Sequence, residues 1–264
     1  MSFYANSLIF DGIPSEIYGL YIGSSGDGGE SSNSTSGNVT PSVEKIYRRP
    51  KNYLYGVNQE PVLTFEITLF SYDEITAPRY EEISKWLFGQ MNYKKLQICQ
   101  PDMTNIYFNC FLIDPQIIRT GNVITGVSFK VECDAPWGWG FPESIGYNYS
   151  GYMYNDTIEF NNESGNNDYL YPTLDFVVNS FGGSISITNT SDSNRIFLMT
   201  GLSANEAISF DCDHQIITSD TSDYRLGTFN KNWVRLVPGL NTLIISANVA
   251  SIIINYQLAY KIGG

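Results

Sequence analysis

The sequence predicts a mainly β protein: an antiparallel β domain carrying one α-helix, followed by a β-sandwich. Three observations lead there. Short runs with period-two alternation recur along almost the whole chain, and a single segment has the spacing of an amphipathic helix. The composition, 42% hydrophobic, 16% charged and 14% aromatic, is that of a globular chain rich in residues that suit sheet faces. A length of 264 residues suffices for one large or two ordinary domains with real cores.

The elements follow in chain order. Residues 7–22 read as two short strands around Asp11-Gly12, a dipeptide that favours tight hairpin turns. Gly23 to Pro41 is dominated by Gly, Ser, Asn and Thr and cannot offset its own ordering entropy. A polar loop this long is uncommon inside a domain and is often functional. Val43 to Pro50 reads as a strand at its exit. Between Val62 and Phe70, Leu63, Phe65, Ile67 and Leu69 alternate with Thr64, Glu66 and Thr68.

The helix is predicted over Pro78 to Phe88. Proline is tolerated in a first turn, Glu81 and Glu82 suit the positive end, and Gly89 is the natural stop. Its apolar stripe is Tyr80, Ile83, Trp86 and Leu87. Strands then recur at Leu96–Cys99, Ile106–Ile113 and Val123–Glu132. From Asp134 to Glu143 two Gly and two Pro argue against regular structure, while Trp137, Trp139 and Phe141 call for burial. This reads as a packed hinge.

Beyond it, strands are expected at Thr173–Val178, Ser184–Asn189, Arg195–Thr200, Ala207–Asp211 and Gln215–Thr218. Two strand-like runs between Trp233 and Tyr260, flanking a turn at Pro238-Gly239, close the sandwich. The resulting domain boundaries are 1–135, a hinge at 136–145, and 146–264.

Charge and motifs exclude more than they identify. A net charge of −12 disfavours phosphate binding, and the basic run Tyr47-Arg-Arg-Pro-Lys51 is too short to change that. An acidic surface would instead keep DNA from sticking. The N-terminus lacks the features of a signal peptide, and no run approaches the ~20 apolar residues of a membrane helix. A reducing cytosol is therefore expected, with Cys99, Cys110, Cys133 and Cys212 as buried free thiols. His214, in Asp211-Cys-Asp-His, lacks the ligand spacing of a zinc site and is expected at a turn or strand end. There is no Gly-x-Ser-x-Gly elbow, and Gly23 to Gly29 is not a phosphate loop. No catalytic residue, metal or cofactor is expected, and a hydrolase has no motif behind it. Tyr147, Tyr149, Tyr152 and Tyr154 could stack on sugar rings, or could line a strand face or subunit contact. A carbohydrate-binding module contacting host cell-wall sugars is thus the alternative to an assembly role.

The organisation resembles the distal tail proteins of siphophages, the long-tailed, non-contractile phages, especially those of Gram-positive hosts. The resemblance rests on the opening Phe10-Asp-Gly-Ile-Pro-Ser-Glu-Ile-Tyr-Gly-Leu, the strand Leu63-Thr-Phe-Glu-Ile-Thr-Leu and the helix bearing Ile83-Ser-Lys-Trp-Leu. It also rests on Cys133-Asp-Ala-Pro-Trp and on the closing Leu236-Val-Pro-Gly-Leu-Asn with Ile252-Ile-Ile-Asn-Tyr. It implies a homo-hexameric ring at the tail tip, formed by the first domain around a channel through which DNA passes unbound. The second domain would be a galectin-like sandwich docking receptor-binding or baseplate proteins. The tail tube would sit above, and a tail-associated lysin or fibre hub below. It further implies a short family form without direct sugar binding, assembled in the host cytoplasm and residing in the virion. Interface residues are expected in the 23–41 loop and at Tyr47, Arg48, Arg49, Lys51, Trp137, Trp139 and Tyr152.

Overall fold

The structure, a computed structural model, describes residues 5–23, 39–59, 62–149 and 153–262. It is mainly β, with one α-helix and antiparallel strand pairing, as the sequence predicts. Two compact units emerge: Met1–Gly140 together with Ala259–Gly264, and Phe141–Leu258.

In the first unit, β1 (Leu8–Phe10) and β2 (Ile13–Pro14) flank Asp11 and Gly12, whose φ of 52° and 79° make the predicted left-handed turn. After β3 (Leu20–Ile22) come β4 (Val39–Lys45) and β5 (Asn52–Gln59). The core strand β6 (Thr64–Ser71) buries Phe65, Ile67 and Leu69, the face its alternation specifies. Helix α1 (Ala77–Phe88) seats Ile83 and Leu87 fully and packs Tyr80 and Trp86 at the margin of the core. It starts one residue earlier than predicted, so no acid lies in its first turn; Glu81 pairs instead with Lys85 at 2.8 Å. Gly89 ends the helix without a left-handed cap: a Cβ there would lie 2.5 Å from the Lys85 carbonyl oxygen.

Strands β7 (Lys94–Ile98), β8 (Ile106–Thr120), β9 (Val123–Cys133) and β10 (Gly138–Gly140) complete this part of the chain. The sheet order is β2-β1-β7-β8-β9-β6-β3, with β10 pairing on β8. Leu8, Phe10, Phe108, Phe129 and Val131 fill the core beneath it. Burying this much apolar area is the dominant stabilising term.

The second unit contains two sheets. One has order β11-β19-β13-β16-β17, using Glu143–Asn148, Val249–Tyr256, Thr173–Val178, Ala207–Asp211 and Ile216–Ser219. The other has order β12-β18-β14-β15, using Met153–Asn162, Gly239–Ala247, Gly183–Asn189 and Arg195–Leu202. Phe176, Phe197, Phe210 and Phe229 form a cluster of edge-on and tilted aromatic rings in its core, with ring centroids 4.9–5.8 Å apart. A final strand, β20 (Ala259–Tyr260), pairs with β10 and so belongs to the first unit.

Two local expectations are corrected. The closing pair does not flank Pro238-Gly239; β18 begins at Gly239, and β18 and β19 lie in different sheets with Asn248 between them. The Trp233–Val237 run is not a strand, yet it is well held. Asn241 Nδ2 donates to the Val237 carbonyl at 2.7 Å, and Asn189 Nδ2 donates to that of Arg235 at 3.0 Å. The Val237 amide donates to Asn241 Oδ1 at 2.8 Å, and Leu236 exchanges backbone bonds with Leu170 at 2.8 and 2.9 Å, so buried asparagines and one isolated bridge replace a continuous ladder. In addition, three of the four thiols are buried as expected, but Cys99 is exposed. Burial pushes the Cys110, Cys133 and Cys212 thiols up, Cys212 to about 12.

Candidate functional site

The β4–β5 hairpin pairs with no other strand among the described residues. The sequence placed a strand only in its first half. The other half, Asn52-Tyr-Leu-Tyr-Gly-Val, carries the β-favouring aromatics that could have revealed it. Outside the nine-stranded sheet, the hairpin leaves Val43, Ile46, Leu54 and Tyr55 exposed. Isolated two-stranded hairpins are marginal in water, and clustered exposed apolar side chains mark interaction surfaces.

The basic run sits in this hairpin's turn. Tyr47 is 84% exposed, and the Arg48 guanidinium lies 5.3 Å from its ring centroid. Arg48 takes φ 65°, and the Arg49 amide donates to the Ile46 carbonyl at 3.0 Å, closing the turn. Lys45, Arg48, Arg49 and Lys51 face a single acid, Glu44, between Pro41 and Gly56, within a chain of net charge −12. The tip is therefore a local basic patch on an acidic protein.

Trp137 and Trp139 lie elsewhere, beside β8. Where Gly and Pro argued for irregular structure, Gly138–Gly140 is a strand: Trp139 pairs with Tyr107 on one side and Ala259 on the other. The glycine serves close packing, because a Cβ on Gly138 would lie 2.5 Å from Ile106 Cγ2. The two indoles meet edge to face at 5.7 Å, and Trp139 Nε1 donates to Asp134 at 3.1 Å. Both tryptophans are half-buried, and the Trp137 N–H is enclosed without a partner among the described residues. They are separate from the hairpin tip in sequence and in sheet. Tyr152 and residues 24–38 of the polar loop lie outside the described residues.

The tyrosine passage does not form an open platform where it is described. Tyr147 and Tyr149 are half-buried in or beside β11; burial, then Asp156, pushes the Tyr149 phenol up to about 12. His214 stands in the turn after β16, mostly exposed, with Nδ1 2.9 Å from Asp211 Oδ2. Neighbouring Cys212 is buried. Among the described residues no three His, Cys, Asp or Glu side chains gather as a metal site would require.

Sequence reading missed a buried charge cluster in the second unit. Arg225 Nε donates to Glu206 Oε1 at 2.7 Å and Nη2 to Oε2 at 2.6 Å, both side chains being almost fully buried. Ser219 Oγ and the Ser203 amide donate to the same carboxylate at 2.6 and 2.8 Å. Burial pushes the Glu206 carboxyl up, but these donors and Arg225 outweigh it and leave it below its usual range. Arg225 also donates to the Gly201 carbonyl at 2.8 Å, so one guanidinium ties residues 201–206 to 219–225. Single-sequence reading had no signal for this pair, because Glu206 lies in an irregular connection and Arg225 opens a short 3-10 helix, with no recurring spacing between them.

Comparisons place this architecture. Residues 3–135 match the family described as phage tail protein N-terminal domain, and residues 137–256 match the phage tail C-terminal domain. The chain belongs to this phage tail protein family. Its fold is shared with the crystal structure of the Dit protein of SPP1, described as a paradigm of the hub adsorption apparatus in phages that infect Gram-positive bacteria. The TM-score is 0.68 at 12% identity, over 96% of this chain and 98% of that one. The resemblance to siphophage distal tail proteins read from the sequence agrees with both findings. No curated protein matches the sequence.

Proposed function

We propose that this chain is the structural hub of a long non-contractile phage tail tip, six copies closing into a ring. The first unit forms the ring around a channel for DNA, and the second docks receptor-binding or baseplate proteins. The tail tube binds one face and a tail-associated lysin or fibre hub the other.

The observation that carries this reading is the β4–β5 hairpin, with strand edges unpaired among the described residues, exposed apolar side chains and a basic tip. Such an arm is poorly satisfied alone and well suited to a neighbouring copy of an acidic chain. Ring contacts of this kind are head-to-tail, so arm and acceptor lie on different surfaces of each protomer. Tyr47, Arg48, Arg49 and Lys51 are the contact residues assigned to the arm, with Trp137, Trp139 and Tyr152 as further interface residues. The net negative charge favours passage of DNA without adhesion. Assembly in the reducing host cytoplasm suits four free thiols.

The test is oligomer mass by light scattering and negative-stain imaging of the purified chain, alone and with the tail tube protein. Six-membered rings support the reading. A strict monomer under both conditions contradicts it.

A further inference from the structure

In the second unit, the turn between β14 and β15 and the segment leading to Arg235 enclose an open depression of about 460 Å³. It is lined by Asp192, Ser193, Asn194, Arg195, Asn232 and Arg235. That volume falls within the ~300–1,000 Å³ typical of small-ligand sites. The two guanidiniums differ in how they are committed. Arg235 is locked: Nε and Nη2 donate to Asp192 at 2.7 and 3.1 Å, and its carbon lies 4.1 Å from the Tyr169 ring centroid. Arg195 donates Nε to the Trp233 carbonyl at 3.2 Å, and among the described residues its two terminal nitrogens have no protein acceptor. So a positioned, unfilled fork lines a depression on a chain of net charge −12.

Around that fork the lining is polar: the Ser193 hydroxyl, the Asn194 and Asn232 amides and the mutually paired Asp192 and Arg235, with Ile196 as the one apolar side chain. Tyr171, 41% exposed, stands 6.3 Å from Tyr169.

We propose that this depression binds an anionic saccharide, its carboxylate or phosphate seated on the Arg195 fork. Ring hydroxyls then meet Ser193, Asn194 and Asn232. A guanidinium fork matches a planar carboxylate or a phosphate with paired hydrogen bonds. Several neutral donors and acceptors around it suit a polyol. They suit an acidic peptide less well, because peptide contacts rely on apolar and aromatic anchors in closed pockets, and this open lining has only Ile196 to offer. The site departs from the short-form expectation of no sugar contact, and it stands whether or not the chain forms a ring.

The test is titration calorimetry of the full chain with digalacturonic acid and with glucose 1-phosphate, which separate a carboxylate from a phosphate source. Lactose, inorganic phosphate and an oligoglutamate peptide are the controls. Millimolar or tighter binding of either anionic sugar is expected, with lactose and inorganic phosphate at least about tenfold weaker, since each supplies half of the recognised chemistry. Arg195→Gln is expected to weaken binding about tenfold, and Arg195→Lys less, because lysine keeps charge but not the fork. Asn194→Gly, at φ 57° where glycine is comfortable, removes one amide without strain and is expected to weaken binding a few-fold. No heat from either anionic sugar at millimolar concentration overturns the proposal. So does equal binding of inorganic phosphate, equal or tighter binding of oligoglutamate, or binding untouched by Arg195→Gln and Asn194→Gly.

Discussion

Strands β5 and β6 follow one another in the chain and draw on similar residues, yet they meet opposite fates. In β6 the alternation is absorbed: Phe65, Ile67 and Leu69 disappear into a core completed by β9 and α1. In β5 Leu54 and Tyr55 stay in water, and the hairpin to which they belong joins no larger sheet among the described residues. The difference lies in what the neighbouring strand offers. β6 has partners on both edges, β9 and β3, whereas β5 has only β4 among the described residues. An apolar residue on a paired central strand contributes stability to its own chain. The same residue on an unpaired arm contributes only when a partner arrives.

The comparison can be broken in either direction. The largest expected effect is in the sheet core, where Phe129 is buried and meets Phe88 edge to face at 5.8 Å. Phe129→Ala should lower unfolding free energy by about 3–5 kcal/mol in chemical denaturation. Glu206→Gln in the second unit should cost about 3 kcal/mol, because it leaves the buried Arg225 guanidinium with only the exposed Asp223 carboxylate as counter-charge. Gly138→Ala should cost about 1–3 kcal/mol through the clash with Ile106. The double change Leu54→Ser with Tyr55→Ser should shift protomer stability by less than about 0.5 kcal/mol, as surface substitutions do, while abolishing ring formation. A large loss of protomer stability from that pair would mean the arm is part of its own core.

The smallest effect expected is electrostatic. Hydrogen bonding to Asp211, and the charges of Asp211 and Asp213, raise the His214 pKa in the folded chain. Its contribution is therefore fully present below the unfolded value of about 6.5 and fades as pH rises through the higher folded value. His214→Gln should remove a small slope in melting temperature just above about pH 6.5 and, because His214 also lowers the Asp211 pKa, slightly weaken the acid limb.

What was legible in the sequence follows from which forces act locally. β6, β9, α1 and β13–β16 carry their burial pattern as period two or period 3.6, so pattern and fold coincide. Trp137-Gly-Trp139-Gly and Trp233–Val237 depart from expectation in opposite senses. The tryptophan–glycine run reads as irregular because glycine usually is, yet Gly138 permits a close backbone approach to Ile106. The Trp233–Val237 run reads as a strand because it is apolar, yet it makes only a single antiparallel bridge, Leu236 to Leu170, and is otherwise held by buried asparagines. Both outcomes depend on residues distant in sequence, Ile106 in the first case and Leu170 and Asn189 in the second. The candidate surfaces divide the same way: the basic run was visible as composition, whereas its place on an unpaired hairpin, the Glu206–Arg225 pair and the Arg195 depression arise only from long-range contacts.

The arm's role is tested most directly by cryo-electron microscopy of the assembled tail tip at side-chain resolution. The account predicts six copies in a ring, with Leu54, Tyr55 and Tyr47 of each hairpin covered by an adjacent copy. A particle in which those side chains face solvent, or in which the chain is present as a single isolated copy, would contradict it.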